Sequence, residues 1–294
     1  MTKQLLILTI SFLWLFSSCA QKEDKNDYVV TIKTSYGDMV AILYDETPKH
    51  KENFLKLAKE KYFDSLLFHR VIQGFMIQGG DPDSKKAQPG QSLGTGGPGY
   101  TIPAEFNPTL FHEKGALSAA RLGGGQNPTK ASSGSQFYIV QGTVVNKADV
   151  DNLKIDNEKL NLGFQMIAGN PANKPLMDSL MFMYSAGDMQ AYQKKILSLV
   201  PLIEKQTNTK ITKEVSPEKI EAYTTVGGAP HLDGDYTVFG KVIKGFDVID
   251  KIAASTVDGN NRPMDDIRMT VTVEEMSRRK ISKEFGYQFP EVKK

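Results

Sequence analysis

Arg70 stands in "LLFHRVIQGFMIQGGD" (66–81), a planar, permanently charged fork of donors among aromatic, aliphatic and amide side chains with no nucleophile beside it. Read as a strand, the segment alternates, with Phe68, Arg70 and Ile72 on one face and His69 and Val71 on the other. Two more strands carry amides on one face, Met76 with Gln78 and Gln136 with Tyr138. If these strands share a wall, they make an apolar pocket edged by amides and one guanidinium. Such a pocket suits an extended peptide and offers nothing for bond cleavage.

Other chemical signals are weaker. "GTGGPG" (94–99) fits G-x-G-x-x-G, yet Pro98 interrupts it and "YTIPAEF" follows where a helix should open, so no dinucleotide site is expected. His50, His69, His112 and His231 lack metal-ligand spacing, and no metal or other cofactor is expected. His69 reads as a hydrogen-bonded structural residue. Ser132, Ser133 and Ser135 lie in "ASSGSQFYIV" without a nucleophile elbow or a base, and read as a turn feeding a strand.

The elements that must position these groups follow from periodicity. Segments 28–35 and 39–45 are β-branched and flank "YGD", which predicts a hairpin. Thr47-Pro48 supplies an N-cap and first-turn proline for an amphipathic helix through "HKENFLKLAKEKYF". Further strands are predicted at 67–72, 76–79, 116–120, 136–140, 237–242 and 269–273, with a second helix at 246–253. Many short strands with two helices imply a mainly β fold, a closed or nearly closed sheet with helical caps. Between Gly142 and Gly228 the texture becomes Met- and Leu-rich at helical spacing, which predicts a helical insertion at 144–228.

Composition bounds the partners. Lys plus Arg number 36 against 34 Asp plus Glu, so the totals carry no electrostatic footprint for nucleic acid. The N-terminus, "MTKQLLILTISFLWLFSSC", has signal-peptide anatomy, with an apolar run too short for a comfortable span. Its "LFSSC" resembles the lipobox of bacterial lipoproteins, departing at Phe16, where Leu is usual. That resemblance implies a signal peptide at 1–18 and lipidation of Cys19, and the charged "AQKEDKND" behind it reads as a short tether, 19–27. The expected location is the bacterial cell envelope, anchored in a lipid bilayer, most simply the outer membrane. "AQKED" behind Cys19 is similar to signals that carry some lipoproteins to the cell surface. Cys19 is the one cysteine, so a mature chain has no disulfide and no thiol catalysis.

In order along 28–142 and 229–273, "FHRVIQGFMIQGGD", "GGPGYTIPAEF", "GALSAA", "SSGSQFYIV" and "HLDGDYTVFGKVIKGFDVIDKIA" resemble the cyclophilin family of peptidyl-prolyl isomerases. The resemblance implies an eight-stranded antiparallel β-barrel capped by two α-helices, with domain limits of 28–276 around the insertion and a tail at 277–294. It implies Arg70 as the catalytic arginine and Phe75, Met76, Gln78, Ala120, Gln136, Tyr138, His231, Leu232 and Tyr236 around a proline-containing peptide. His231 stands where many members have Trp, Tyr236 where many have His, and Tyr138 where Phe is frequent. The pocket stays apolar and aromatic.

The implied chemistry answers what Arg70 is for. Rotation about an X-Pro bond crosses a barrier of about 18–20 kcal/mol because the C–N bond is partly double. A donor aimed at the prolyl nitrogen favours the twisted amide, whose lone pair is no longer delocalised. Expected clients are exported or envelope proteins, folding or unfolded. A second class stays open, a chaperone module in which the barrel only grips proline segments. Met166, Met177, Met181, Met183 and Met189 serve either the insertion's own core or a client-binding face. A third is a scaffold whose tail docks a partner.

Overall fold

The computed structural model describes residues 25–290, so Cys19 and the signal segment lie outside the described residues. The chain opens with the hairpin β1 (Asn26–Thr34) and β2 (Gly37–Leu43), then α1 (Pro48–Lys59), β3 (Phe68–Ile72) and β4 (Met76–Gly79). Two-residue strands β5 (Thr101–Ile102) and β7 (Ser132–Ser133) pair with each other, flanking β6 (Ala116–Ala119) in the chain, and β8 (Phe137–Val140) follows. Five helices come next: α2 (Asn157–Ala168), α3 (Lys174–Ser185), α4 (Met189–Ser198), α5 (Val200–Thr207) and α6 (Pro217–Thr225). The chain then returns through β9 (Val238–Lys244), α7 (Phe246–Ala253), β10 (Thr270–Ser277) and α8 (Arg278–Phe285).

Eight strands form one antiparallel sheet in the order β10-β1-β2-β9-β6-β8-β4-β3. Its two edges meet. The Ser65 amide donates to the Met269 carbonyl, the Phe68 amide to Ile267 and the Met269 amide to Leu66, each at 2.9 Å. The sheet therefore curls toward a barrel, its edges joined where residues 65–68 meet 267–269. Phe54 and Leu57 of α1 and Val248, Ile249 and Ile252 of α7 close a core built on Ile32, Phe63, Phe137 and Phe239. Rings stack edge-on through it, Phe54 to Phe137 at 5.5 Å and Phe63 to Phe137 at 5.7 Å.

The eight expected strands are all present, and two local expectations change. Thr47 does occupy the N-cap of α1, but its side chain makes no capping bond and its hydroxyl is buried without a partner. Glu105 does the capping, accepting from the Lys49 and His50 amides at 3.2 and 3.0 Å while His50 Nδ1 holds it at 2.6 Å. The helix also stops at Lys59 instead of running on to Phe63, because Lys61 takes a left-handed conformation, φ 57°.

Thr143 and Gly228 exchange backbone hydrogen bonds at 3.0 and 3.2 Å, so the helical segment leaves and rejoins the barrel at one bridging pair. It has a small core of its own, centred on Leu160, Ile167, Leu180, Val200, Ile203 and Ile211. The tail seats on the barrel's own outer face. Ile281 of α8 is fully buried beside Val29, Ile42 and Met276, and Arg278 pairs with Asp27 and Asp45 at 2.7 and 2.6 Å.

Candidate active site

Arg70 reaches the site because the β3 ladder slips. A register shift between Phe68 and Arg70 against β4 breaks the alternation expected from sequence. Phe68 and Val71 both join the main core, whereas Ile72 packs into the opposite cluster and Arg70 Nη1 donates to Gln78 Oε1 at 3.0 Å. The expected grouping of Phe68 with Arg70 is corrected by this bulge, which re-aims the side chain.

The guanidinium is held by a chain of amides. Gln78 Nε2 donates to Gln136 Oε1 at 3.0 Å, and Gln136 Nε2 donates to the Gly96 carbonyl at 2.8 Å. Gly96 is fixed in turn by the fully buried Asp81, and a Cβ there would lie 2.1 Å from Asp81 Oδ1, so only glycine fits. "GTGGPG" is a carbonyl-presenting loop, and Asp81 is its post.

Beside the guanidinium lies the apolar part. Met76, Ala120, Tyr138 and Leu232 are buried together, with Phe75 and Tyr236 half-buried around them. The His231 ring lies 5.3 Å from Phe75, Tyr138 meets Tyr236 edge-on at 6.0 Å, and Arg121 sits 4.4 Å over the Tyr236 ring. Every site position named from sequence within the described residues thus belongs to this wall; Cys19 lies outside them.

A polar relay supports the wall from behind. The Tyr138 hydroxyl is 2.9 Å from His112 Nε2, and His112 Nδ1 is 2.9 Å from Asp233 Oδ1. Asp233 also accepts from the Tyr223 hydroxyl at 2.8 Å and Lys219 Nζ at 3.1 Å, both on α6. Burial holds His112 below its ordinary value against the pull of Asp233. Burial also opposes ionisation of Asp233, yet His112 and Lys219 outweigh it and keep the carboxyl below the usual range.

His69 meets its expectation only in part. It is buried, and the Leu67 backbone bears on its ring without making a well-formed hydrogen bond, while burial pushes its pKa down to about 4. It lines a polar cavity of about 290 Å³ with Arg70, Gln78, Arg121, Asp258 and Arg262 on the guanidinium side of the wall. The whole arrangement can bind an apolar ring and polarise what lies beside it.

This chain matches the family described as cyclophilin type peptidyl-prolyl cis-trans isomerase/CLD over residues 29–161 and 205–274. The chain is a cyclophilin-type peptidyl-prolyl cis-trans isomerase. A Streptococcus pyogenes protein with the provisional name bifunctional phosphatase/peptidyl-prolyl cis-trans isomerase is 34% identical over 242 residues, 81% of this chain but only 37% of that protein. A Staphylococcus haemolyticus protein, provisionally named peptidyl-prolyl cis-trans isomerase, is 30% identical over 244 residues, 82% of this chain and 88% of its own. A crystallised Cryptosporidium parvum cyclophilin type isomerase, solved in the presence of the dipeptide Ala-Pro, aligns with TM-score 0.48 at 22% identity. That alignment covers 84% of this chain and 98% of the other.

In this cyclophilin the gap in the family match, 162–204, falls inside the helical segment. Sequence reasoning missed four supporting groups, Asp81, His112, Arg121 and Asp233. Asp233 was within reach, since it sits in the "HLDG" motif. His112 and Asp233 are 121 residues apart, and no local pattern joins them.

Proposed function

We propose that this cyclophilin turns X-Pro bonds by Arg70 donating to the prolyl nitrogen while Phe75, Met76, Ala120, Tyr138, Leu232 and Tyr236 hold the ring and Gln78, Gln136 and His231 edge the bound chain. The observation that carries this reading is the Gly96–Gln136–Gln78–Arg70 chain of hydrogen bonds, which fixes a permanent charge at the lip of an apolar cluster. Clients are exported or envelope polypeptides, and Cys19 carries the lipid that tethers the enzyme to the bilayer.

The test is proline turnover on a short peptide. Arg70→Ala and Arg70→Lys both lose activity with native-like circular dichroism, since an ammonium lacks the planar fork. Unchanged turnover in Arg70→Ala would remove Arg70 from the mechanism. A chaperone module that grips without turnover draws support from apolar side chains on the helical segment, Met166 64%, Met181 67% and Phe182 75% exposed. That reading requires aggregation suppression by a full chain that leaves the peptide's exchange rate unaltered.

A further inference from the structure

A cavity of about 740 Å³ lies between the helical segment and the loop that carries Leu232. Its apolar side is made by Leu153, Leu160, Phe164, Ile196 and Leu197. Pro230 and His231 form the facing wall. His231 is the ring that stands 5.3 Å from Phe75. One side chain therefore separates the proline wall from the cavity, and an extended chain at about 3.3 Å per residue crosses it within roughly three residues.

The rim carries two loosely held carboxylates. Asp149, Asp156, Glu158, Asp233 and Asp235 line the cavity with Lys130 and Lys213, but Asp156 is paired with Lys159 at 3.3 Å and Asp233 with Lys219 at 3.1 Å. Lys130 spends its charge on Asp235 at 2.5 Å and reaches Glu158 only at 3.8 Å, and Asp149 makes no ion pair among the described residues. Two carboxylates at the mouth thus face a volume within the roughly 300–1,000 Å³ typical of ligand sites, with an apolar floor.

We propose that this cavity is a second subsite for the same client chain, taking an apolar side chain that lies a few residues from the isomerised proline and is accompanied by Lys or Arg. The inference rests on the proline wall being the catalytic site. The occupant follows from continuity and charge: the chain leaving the proline wall across His231 arrives at an apolar floor under those two carboxylates. The helical segment thereby sets substrate preference in the isomerase, favouring apolar-basic stretches such as those an unfolded chain exposes.

The test compares kcat/KM on a proline tetrapeptide with that on longer peptides carrying Leu-Lys or Leu-Glu three to five residues from proline, on either side. Fluorescence anisotropy of the labelled long peptides measures binding independently of turnover. Leu-Lys peptides gain about tenfold over the tetrapeptide, mainly in KM, from one flank. Asn161→Trp, at an exposed position on the cavity wall, abolishes that gain and leaves tetrapeptide turnover unchanged. Asp149→Lys with Glu158→Lys abolishes or reverses the Lys-over-Glu preference. Equal kcat/KM for long and short peptides, or a gain that survives both variants, overturns the subsite. Absent turnover with binding still sensitive to Asn161→Trp overturns the catalytic reading and leaves the subsite standing.

Discussion

The barrel and the helical segment it carries bury apolar surface on different scales. The barrel's main core joins α1, α7 and most strands through side chains such as Ile32, Phe63, Ile77 and Leu117 that are essentially inaccessible. The helical segment closes over a much smaller core and leaves Leu162, Met166, Met181, Phe182 and Tyr184 more than half exposed. A pocket wall that must hold a guanidinium in place needs the first kind of packing, because dense cores transmit strain and permit little drift. A surface that meets varied chains tolerates the second, since flexible methionines adapt.

Core truncations test that difference most strongly. Phe137 touches Phe54, Phe63 and Phe68, so Phe137→Ala should cost about 3–5 kcal/mol of global stability and abolish turnover with the fold. Ile203→Ala, at the fully buried centre of the helical core, should cost about 2–4 kcal/mol there alone. Hydrogen exchange would show protection lost across 157–207 while the strands keep theirs and tetrapeptide turnover persists. A single cooperative loss through both regions would break the comparison.

Acid should also separate them. His50, His69 and His112 are buried in the barrel and burial lowers all three, whereas 144–228 contains no histidine. An unfolded histidine protonates near pH 6.5 and His69 in the fold only near 4, so the unfolded state binds more protons between those values. Stability is therefore complete above pH 6.5 and falls on acidification toward 4. His69 alone accounts for about 2 kcal/mol between pH 6.5 and 5. Urea unfolding at pH 7, 6 and 5 measures it, and a flat profile would mean that His69 gains a partner on protonation.

The amide chain offers a sharper cut within the barrel. Gln136→Leu keeps the volume, leaves the half-buried amide of Gln78 without its acceptor and releases Arg70. We expect about a tenfold loss, roughly 1.4 kcal/mol, falling on kcat more than on KM. An effect confined to KM would show that Gln136 acts on the bound chain alone and does not position Arg70.

Much of this was legible in the chain because strand alternation and motif order report local chemistry. "FMIQGG" and "SQFYIV" place Met76, Gln78, Gln136 and Tyr138 on one face before any coordinate is known. Illegible features were those set by partners far along the chain. The bulge before Arg70 depends on how β4 pairs, the cap of α1 comes from Glu105, and Asp81 grips Gly96 across a loop. The cavity beside His231 needs α2, α4 and the 230–235 loop together, which periodicity within any one of them does not reveal.

The smallest expected effect bears most directly on whether the two regions act separately. The Tyr223 hydroxyl on α6 donates to Asp233, Asp233 accepts from His112, and His112 meets the Tyr138 hydroxyl on the proline wall. With Nδ1 donating to Asp233, Nε2 accepts from Tyr138, so the donors converge on Asp233 from the proline wall and from α6. Tyr223→Phe leaves Asp233 with Lys219 and His112 and should cost about 1 kcal/mol. Tyr138→Phe restores the ring frequent in the family and leaves His112 Nε2 unpaired, at a similar cost. If the relay acts as a unit, the two losses do not add, and a double-mutant cycle on urea stability returns a coupling of at least about 0.5 kcal/mol. Tetrapeptide turnover should then fall about twofold in Tyr223→Phe, because the floor of the proline wall loosens. Additive losses with unchanged turnover would show that α6 only borders the barrel, and would leave the cavity as the sole route by which the helical segment reaches the site.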